Sequence, residues 1–225
     1  LFKKQWLGIL ACLFLVLSPR LYAHSFFNSK DIPLLSMFTI SFMVAEWAFR
    51  KNKVAAYIVL GLCVGYATSI RILGIYLFGW LLLFLILDLF TKNTASMAGR
   101  VKNLFGFIAG SAIALYIFWP TLWKDPVASF AECFISYSRF RWDGLLLLNG
   151  ENLRSIDLPW YYLPEWFAIT TPVLLLLSGV VGLIILSRRF LMHPKSFLAN
   201  ESQRNFLLYA ACFLGPPIII IILHS

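Results

Sequence analysis

The chain has 225 residues, of which 60% are hydrophobic and only 13% are charged. The charged fraction is about half that of a typical soluble domain, so the composition excludes a soluble globular protein and predicts a polytopic helical membrane protein. The net charge of +9 does not indicate nucleic acid as a partner, because Lys and Arg collect in the cytoplasmic loops of membrane proteins. The four cysteines show no CxxC spacing, which indicates packing thiols and neither a disulfide framework nor a zinc site.

Seven apolar runs approach the length of about 20 residues that a membrane-spanning helix needs. In chain order they cover residues 5–18, 33–49, 54–70, 72–90, 104–120, 167–187 and 206–224. They predict an all-α bundle of about seven transmembrane helices, with residues 1–225 forming a single domain. Residues 69–72 predict a tight hairpin that places Arg71 at the membrane surface. Because the chain begins with Leu and its last run reaches almost to Ser225, we expect it to be part of a longer protein.

The basic residues predict the orientation of these spans. Twelve of the 19 Lys and Arg residues fall in the loops of one side, which the positive-inside rule makes cytoplasmic. The amino end is then inside, and the loop around Asp31 faces outwards, with the bacterial inner membrane as the expected location. Two acids stand four residues before a base at cytoplasmic helix ends, which favours local ion pairs: Glu46 with Arg50, and Asp88 with Lys92.

Residues 121–166 predict an exterior aromatic-rich loop of unusual length. Aromatic side chains at this density suit the headgroup zone of a membrane, and the apolar spacing over 127–140 predicts a short helix lying on the membrane. Pro159 and Pro164 predict an extended segment that presents Tyr161 and Tyr162. A plain connector needs neither this length nor this composition, so the loop predicts binding of a lipid-borne ligand.

Several motifs, taken together in order, resemble the membrane glycosyltransferases of the C-type (GT-C) fold. Within that fold, the branch is the one of the protein O-mannosyltransferases and the bacterial aminoarabinose transferases of lipid A. The residues that carry the resemblance are Pro19-Arg20, His24-Ser25, Asn28, Lys30-Asp31-Ile32-Pro33, and the stretches 67–74, 119–126, 158–164 and 169–172.

The resemblance implies a polyprenyl-phosphate sugar donor and a glycan, lipid or protein acceptor on the non-cytoplasmic face, with membrane lipids as neighbours. Family members carry a catalytic acidic residue in their first exterior loop, whereas the first exterior segment here matches their second. Asp31 corresponds to the second acidic position. We therefore expect this segment alone to be inactive. The resemblance indicates no particular cofactor and leaves a divalent metal ion open.

The chemistry of sugar transfer needs a carboxylate for the hydroxyl proton and cations for the departing phosphate. Asp31 is the catalytic candidate, as an auxiliary carboxylate, an acceptor-orienting group or a metal contact. The candidates for substrate binding are Arg20, His24, Lys30, Arg71, Tyr161 and Tyr162.

Each candidate also has a purely structural interpretation. Asp31 could cap a helix, the cations could be interfacial side chains that reach for water, His24 could be merely hydrogen-bonded, and the tyrosines could belong to an aromatic belt. Two other functions compete with the transferase. A transporter or lipid-linked-sugar flippase would place its charges near the bilayer midplane, and a seven-helix receptor fits poorly with a cytoplasmic amino end.

Overall fold

The computed structural model describes residues 5–90, 96–139, 143–193, 205–206, 209–215 and 218. The chain divides into two compact units. Asn28–Phe140 forms the first, here called the bundle unit, and Leu1–Phe27 together with Arg141–Ser225 forms the second, here called the terminal unit. The assignment of residues 1–225 to one transmembrane domain stays a prediction.

The described elements are mainly helices, with one small hairpin. In chain order they are α1 (Gln5–Leu17), α2 (Pro19–Phe27), α3 (Asp31–Lys51), α4 (Val54–Ile70), α5 (Gly74–Phe90), α6 (Met97–Phe118), α7 (Pro126–Arg139), β1 (Leu145–Leu148), β2 (Glu151–Arg154), α8 (Tyr162–Thr170) and α9 (Val173–Met192). Short 3-10 helices cover Pro120–Trp123 and Ser155–Asp157.

Three described helices, α3, α6 and α9, are long and apolar enough to cross a membrane. A fourth span results if α1 and α2, which meet at a bend of 69°, count as one broken span. Helices α4 and α5 are apolar but have only 17 residues each. The helical membrane fold is confirmed, whereas the number of seven spans is not. The last predicted run, 206–224, lies largely outside the described residues.

Prolines account for two places where the predicted runs and the observed helices differ. The segment after residue 18, expected to be a loop, is mostly helical, because Pro19 stands at the first position of α2, where a missing N–H costs nothing. The predicted run 167–187 is divided between α8 and α9. The break lies at Thr171-Pro172, since the residue before a proline disfavours the helical conformation.

Close packing of α4 against α6 forms the centre of the bundle unit. A methyl group added at Gly61 would overlap the carbonyl of Phe107, and one added at Gly65 would overlap the carbonyl of Ser111. Gly110 lies in the same way against the carbonyl of Ile58. Glycines four residues apart therefore let the two backbones touch, as in the small-residue interfaces of membrane helices. The contacts advance in the same direction along both helices, so α4 and α6 run parallel.

The other helices of the bundle unit alternate in direction. Near the end of α3, the ring of Phe49 lies 6.2 Å from Tyr57 early in α4 and 5.1 Å from Phe84 late in α5. The start of α3, the end of α4 and the start of α5 therefore share the opposite end of the unit, here called the Asp31 end. The end of α6 lies there too, since the rings of Phe118 and Tyr66 are 4.7 Å apart.

The aromatic loop contains more regular structure than the sequence predicted. Helix α7 occupies the stretch 127–140 in which a short helix was expected, while its position on the membrane surface stays a prediction. Strands β1 and β2 pair as an antiparallel hairpin that was not predicted, with Leu145 opposite Arg154. Its turn is Asn149-Gly150, both with positive φ of 53° and 89°, the sequence typical of a two-residue hairpin turn. The prediction of an extended segment between Pro159 and Pro164 is wrong, because α8 already begins at Tyr162. Pro164 lies in the first turn of α8, where proline is tolerated.

Candidate functional site

An ion pair between Asp31 and Arg71 lies at the centre of the candidate site. The two residues are 40 positions apart in the sequence, and Nη1 of Arg71 donates to Oδ1 of Asp31. The side chain of Arg71 is 41% exposed and that of Asp31 is 53% exposed. The pair is therefore formed within the protein but remains accessible to a ligand.

The turn between α4 and α5 positions Arg71. Arg71 ends α4 with an extended backbone (φ −153°, ψ 131°), and its carbonyl accepts from the N–H of Gly74 at 2.8 Å. The backbone of Gly74 is so close to Thr68 that a Cβ would come within 2.5 Å of the Thr68 nitrogen. The tight hairpin predicted for residues 69–72 is confirmed, and it requires glycine where the chain turns.

Asn28 and the start of α3 position Asp31. Asp31 is the first residue of α3, while the capping position is Lys30, whose side chain makes no capping hydrogen bond. The N–H of Asp31 donates to Oδ1 of Asn28 at 2.9 Å, and the N–H of Lys30 donates to the same oxygen at 3.3 Å. Nδ2 of Asn28 donates to Oδ2 of Asp31 at 2.9 Å. The alternative in which Asp31 caps the helix is thus wrong, because Asn28 performs that task.

Both carboxylate oxygens of Asp31 therefore accept hydrogen bonds, one from Arg71 and one from Asn28. A negative charge in the first turn is also favoured by the dipole of α3. Lys30, the exposed neighbour of Asp31 in the sequence, carries a further positive charge. The arrangement combines a guanidinium that can hold a phosphate with a carboxylate that fixes the direction of this guanidinium.

An aromatic segment begins at the same end of the bundle unit. After α6, Trp119 packs edge-on against Phe130 of α7 with ring centroids 6.0 Å apart. Nε1 of Trp123 donates to the carbonyl of Tyr116 at 2.6 Å. Oδ1 of Asp125 accepts from the N–H of Ala128 at 3.1 Å and so caps α7. The part of the predicted exterior loop that belongs to the bundle unit thus starts from the Asp31 end.

In the terminal unit, Trp166 brings two other candidates together. The guanidinium of Arg20 in α2 lies over the indole of Trp166 in α8, 5.4 Å from its centroid. Tyr162 packs edge-on against the same indole at 6.1 Å. Trp166 was counted among the loop aromatics but not among the site residues. A tryptophan four residues after Tyr162 on one helix face was the signal that could have indicated it.

The remaining candidates have less distinctive surroundings. The half-buried ring of His24 lies 5.1 Å from Phe27 in α2, and the exposed Tyr161 packs edge-on against Trp160 at 6.0 Å. Of the two cytoplasmic ion pairs predicted, the one between Glu46 and Arg50 is confirmed at 3.7 Å. Lys92, the predicted partner of Asp88, lies outside the described residues. Within the described ranges no three Asp, Glu, His or Cys side chains come together as metal ligands.

Comparison with known protein families gives a match over the first half of the chain. A family model described as dolichyl-phosphate-mannose-protein mannosyltransferase matches residues 1–123. The matched part runs from the amino end to the 3-10 helix that follows α6, and it includes Asp31 and Arg71. No curated protein and no solved structure matches the chain.

Proposed function

Because the chain belongs to the dolichyl-phosphate-mannose-protein mannosyltransferase family, a family of membrane glycosyltransferases, we propose that it takes part in sugar transfer from a polyprenyl-phosphate donor. The acceptor is a hydroxyl group of a glycan, lipid or protein on the non-cytoplasmic face. The observation that carries this proposal is the accessible Asp31–Arg71 ion pair at the ends of two apolar helices, where a lipid phosphate and an aqueous acceptor can both arrive.

The reaction divides the work between a cation and a carboxylate. The acceptor oxygen forms a bond to the anomeric carbon, the bond from that carbon to the phosphate oxygen breaks, and the hydroxyl proton passes to a carboxylate. The polyprenyl phosphate leaves with the bonding electrons and gains negative charge. Arg71 is suited to receive that charge, because a guanidinium presents paired donors that match phosphate oxygens.

We assign Asp31 the role of an auxiliary carboxylate and not that of the principal base. Both oxygens of Asp31 already accept hydrogen bonds, one from Arg71 and one from Asn28, so the carboxylate is engaged in holding the cation. Asp31 then aims Arg71 at the phosphate and orients the acceptor hydroxyl. The principal base would be the acidic residue that the family resemblance places in a preceding exterior loop.

Arg20 and Tyr162 are proposed as donor-binding residues of the terminal unit. A guanidinium that lies over an indole is attracted by its π-system and can still donate hydrogen bonds from its edge. Arg20 is exposed beside Trp166, so an anionic group can reach it. Tyr161 and Tyr162 are proposed to line the path of the polyprenyl chain or of the acceptor, and Lys30 and His24 to contact the donor or acceptor.

The transporter or flippase alternative has less support from the position of the charges. Transporters bind their substrates near the bilayer midplane, whereas Asp31 and Arg71 are the first residue of one helix and the residue that ends another. A flippase would also move its lipid-linked sugar without cleaving the bond to phosphate. Bond cleavage therefore separates the two functions.

The test is transfer of radiolabelled sugar from synthetic polyprenyl-phosphate donors by membranes that contain the full-length protein. We expect labelled product with at least one donor and free polyprenyl phosphate in equal amount. Absence of product with every donor, in membranes where the protein is expressed and folded, would refute the transferase. Movement of intact donor between leaflets without product would favour the flippase.

A further inference from the structure

We propose that Asn28 is a positioning residue that holds the Asp31 carboxylate towards Arg71. The inference rests on the proposed function and gives a role to Asn28, for which the sequence alone indicated none. Its basis is that one side chain both begins α3 and orients the carboxylate that follows it.

The two ends of the Asn28 amide have different partners. Oδ1 accepts from the backbone N–H groups of Lys30 and Asp31, and Nδ2 donates to Oδ2 of Asp31. Since only the oxygen of an amide can accept from N–H groups, the two backbone bonds fix which end of the amide faces the carboxylate. The donor end must then point to Asp31.

This arrangement leaves one carboxylate oxygen for Arg71. Asn28 occupies Oδ2, and Nη1 of Arg71 occupies Oδ1. A carboxylate with one oxygen fixed cannot rotate freely, so the direction of its second oxygen, and hence the position of the guanidinium, is set before a ligand binds. Such preorganisation is what a site that stabilises developing charge requires.

Substitutions can separate the capping task from the positioning task. In Asn28→Asp the side-chain oxygens can still accept from the backbone N–H groups, and Asp is a favourable capping residue, but a negative charge replaces the donor that faced Asp31. In Asn28→Ala both tasks are lost. Ser29→Ala, in the exposed neighbour of Asn28, is the matched control.

The kinetic experiment is a double-mutant cycle in the full-length protein with labelled donor. We expect Asn28→Asp to lower kcat by about tenfold to a hundredfold, the equivalent of a lost hydrogen bond to a charged group, with a smaller change in KM. In the Asp31→Asn background the same substitution should cost less than about threefold of the residual kcat, because the carboxylate that it acts through is gone. An equal loss in both backgrounds would overturn the proposal.

A second cycle measures Tm in detergent, which needs no activity, for the wild type, Asn28→Asp, Asp31→Asn and the double variant. Repulsion between the introduced carboxylate and that of Asp31 should lower the Tm of Asn28→Asp, and Asp31→Asn should relieve the loss. Coupling in Tm without coupling in kcat would reduce Asn28 to a structural role and overturn the proposal. If the wild-type protein transfers no sugar, the proposed function is refuted. The contact between Asn28 and Asp31 is then tested by Tm alone, and absence of coupling in Tm would overturn the role of Asn28.

Discussion

The bundle unit and the terminal unit use different means to hold their candidate residues. In the bundle unit, glycines bring the backbones of α4 and α6 into contact, and the ion pair joins the start of α3 to the end of α4. In the terminal unit, α9 has no buried residue, and the candidates Arg20 and Tyr162 are held by ring contacts with Trp166. The first group is thus held by contact between helix backbones and by an ion pair, and the second by contacts to one indole ring.

The largest expected effect comes from disturbing the glycine contacts of the bundle unit. Gly65→Leu forces a side chain into the backbone of α6 at Ser111, where the neighbour is main chain and cannot move aside. We expect a loss of stability of about 3 kcal/mol or more, the upper range for overpacking a core. Thermal unfolding in detergent and size-exclusion chromatography of the full-length protein would measure it.

Gly79→Ala is the matched control, because an added Cβ at Gly79 of α5 meets nothing within 4 Å. In a helix, alanine is favoured over glycine by up to about 1 kcal/mol, so the control should be neutral or slightly stabilising. Equal destabilisation by the two substitutions would show that glycine contacts do not distinguish the bundle unit.

The second effect concerns the ion pair itself. Asp31→Asn removes the charge that holds Arg71 and should reduce transfer by about a hundredfold, comparable to the loss of one charge-stabilising group in other enzymes. Arg71→Lys should also reduce transfer, because an ammonium cannot make the paired contacts of a guanidinium. Product formation per unit of folded protein measures both variants.

Glu46→Gln provides the control for this prediction. It breaks a second described ion pair of the bundle unit, between Glu46 and Arg50, which lies at the end opposite Asp31. A pair of this kind on a helix surface contributes only about 0.3–0.5 kcal/mol, and we expect transfer to remain within about twofold of the wild type. Full activity of Asp31→Asn would leave the carboxylate a structural role only.

The sequence predicted best those features that depend on local chemistry. The turn at Arg71 and the four central helices of the bundle unit follow from apolar run length and from Gly74, and all are found. The hairpin at Asn149-Gly150 was missed although its turn sequence is diagnostic, because the surrounding aromatics were interpreted as a membrane-surface segment. The packing of α4 on α6 was likewise not predicted. The spacing of four residues between Gly61 and Gly65, and between Gly106 and Gly110, is the pattern that indicates it.

The candidate site was harder to predict, because its contacts join residues that are distant in the chain. The predicted position of Arg71 at the membrane surface gave no measure of its distance from Asp31. Helix capping was the structural alternative for Asp31, whereas Asn28, three residues earlier, accepts from the N–H groups of Lys30 and Asp31 at the start of α3. The contact of Arg20 with Trp166 joins residues 146 positions apart, and no periodicity in a single helix can indicate such a pair.

The smallest expected effect tests the aromatic contacts of the terminal unit. Trp166→Leu removes the ring beneath Arg20, and a cation–π contact at an exposed site contributes about 0.5–1 kcal/mol. Because Arg20 is proposed to bind the donor, the KM of Trp166→Leu for the donor should rise by about twofold to fivefold, with kcat nearly unchanged. Trp166→Phe keeps a ring and should have a smaller effect, and Trp160→Leu, which leaves the Arg20 contact intact, is the control. A fall in kcat as large as that of Asp31→Asn would contradict the difference between the two units, because Trp166 would then contribute to the geometry of the transfer step itself.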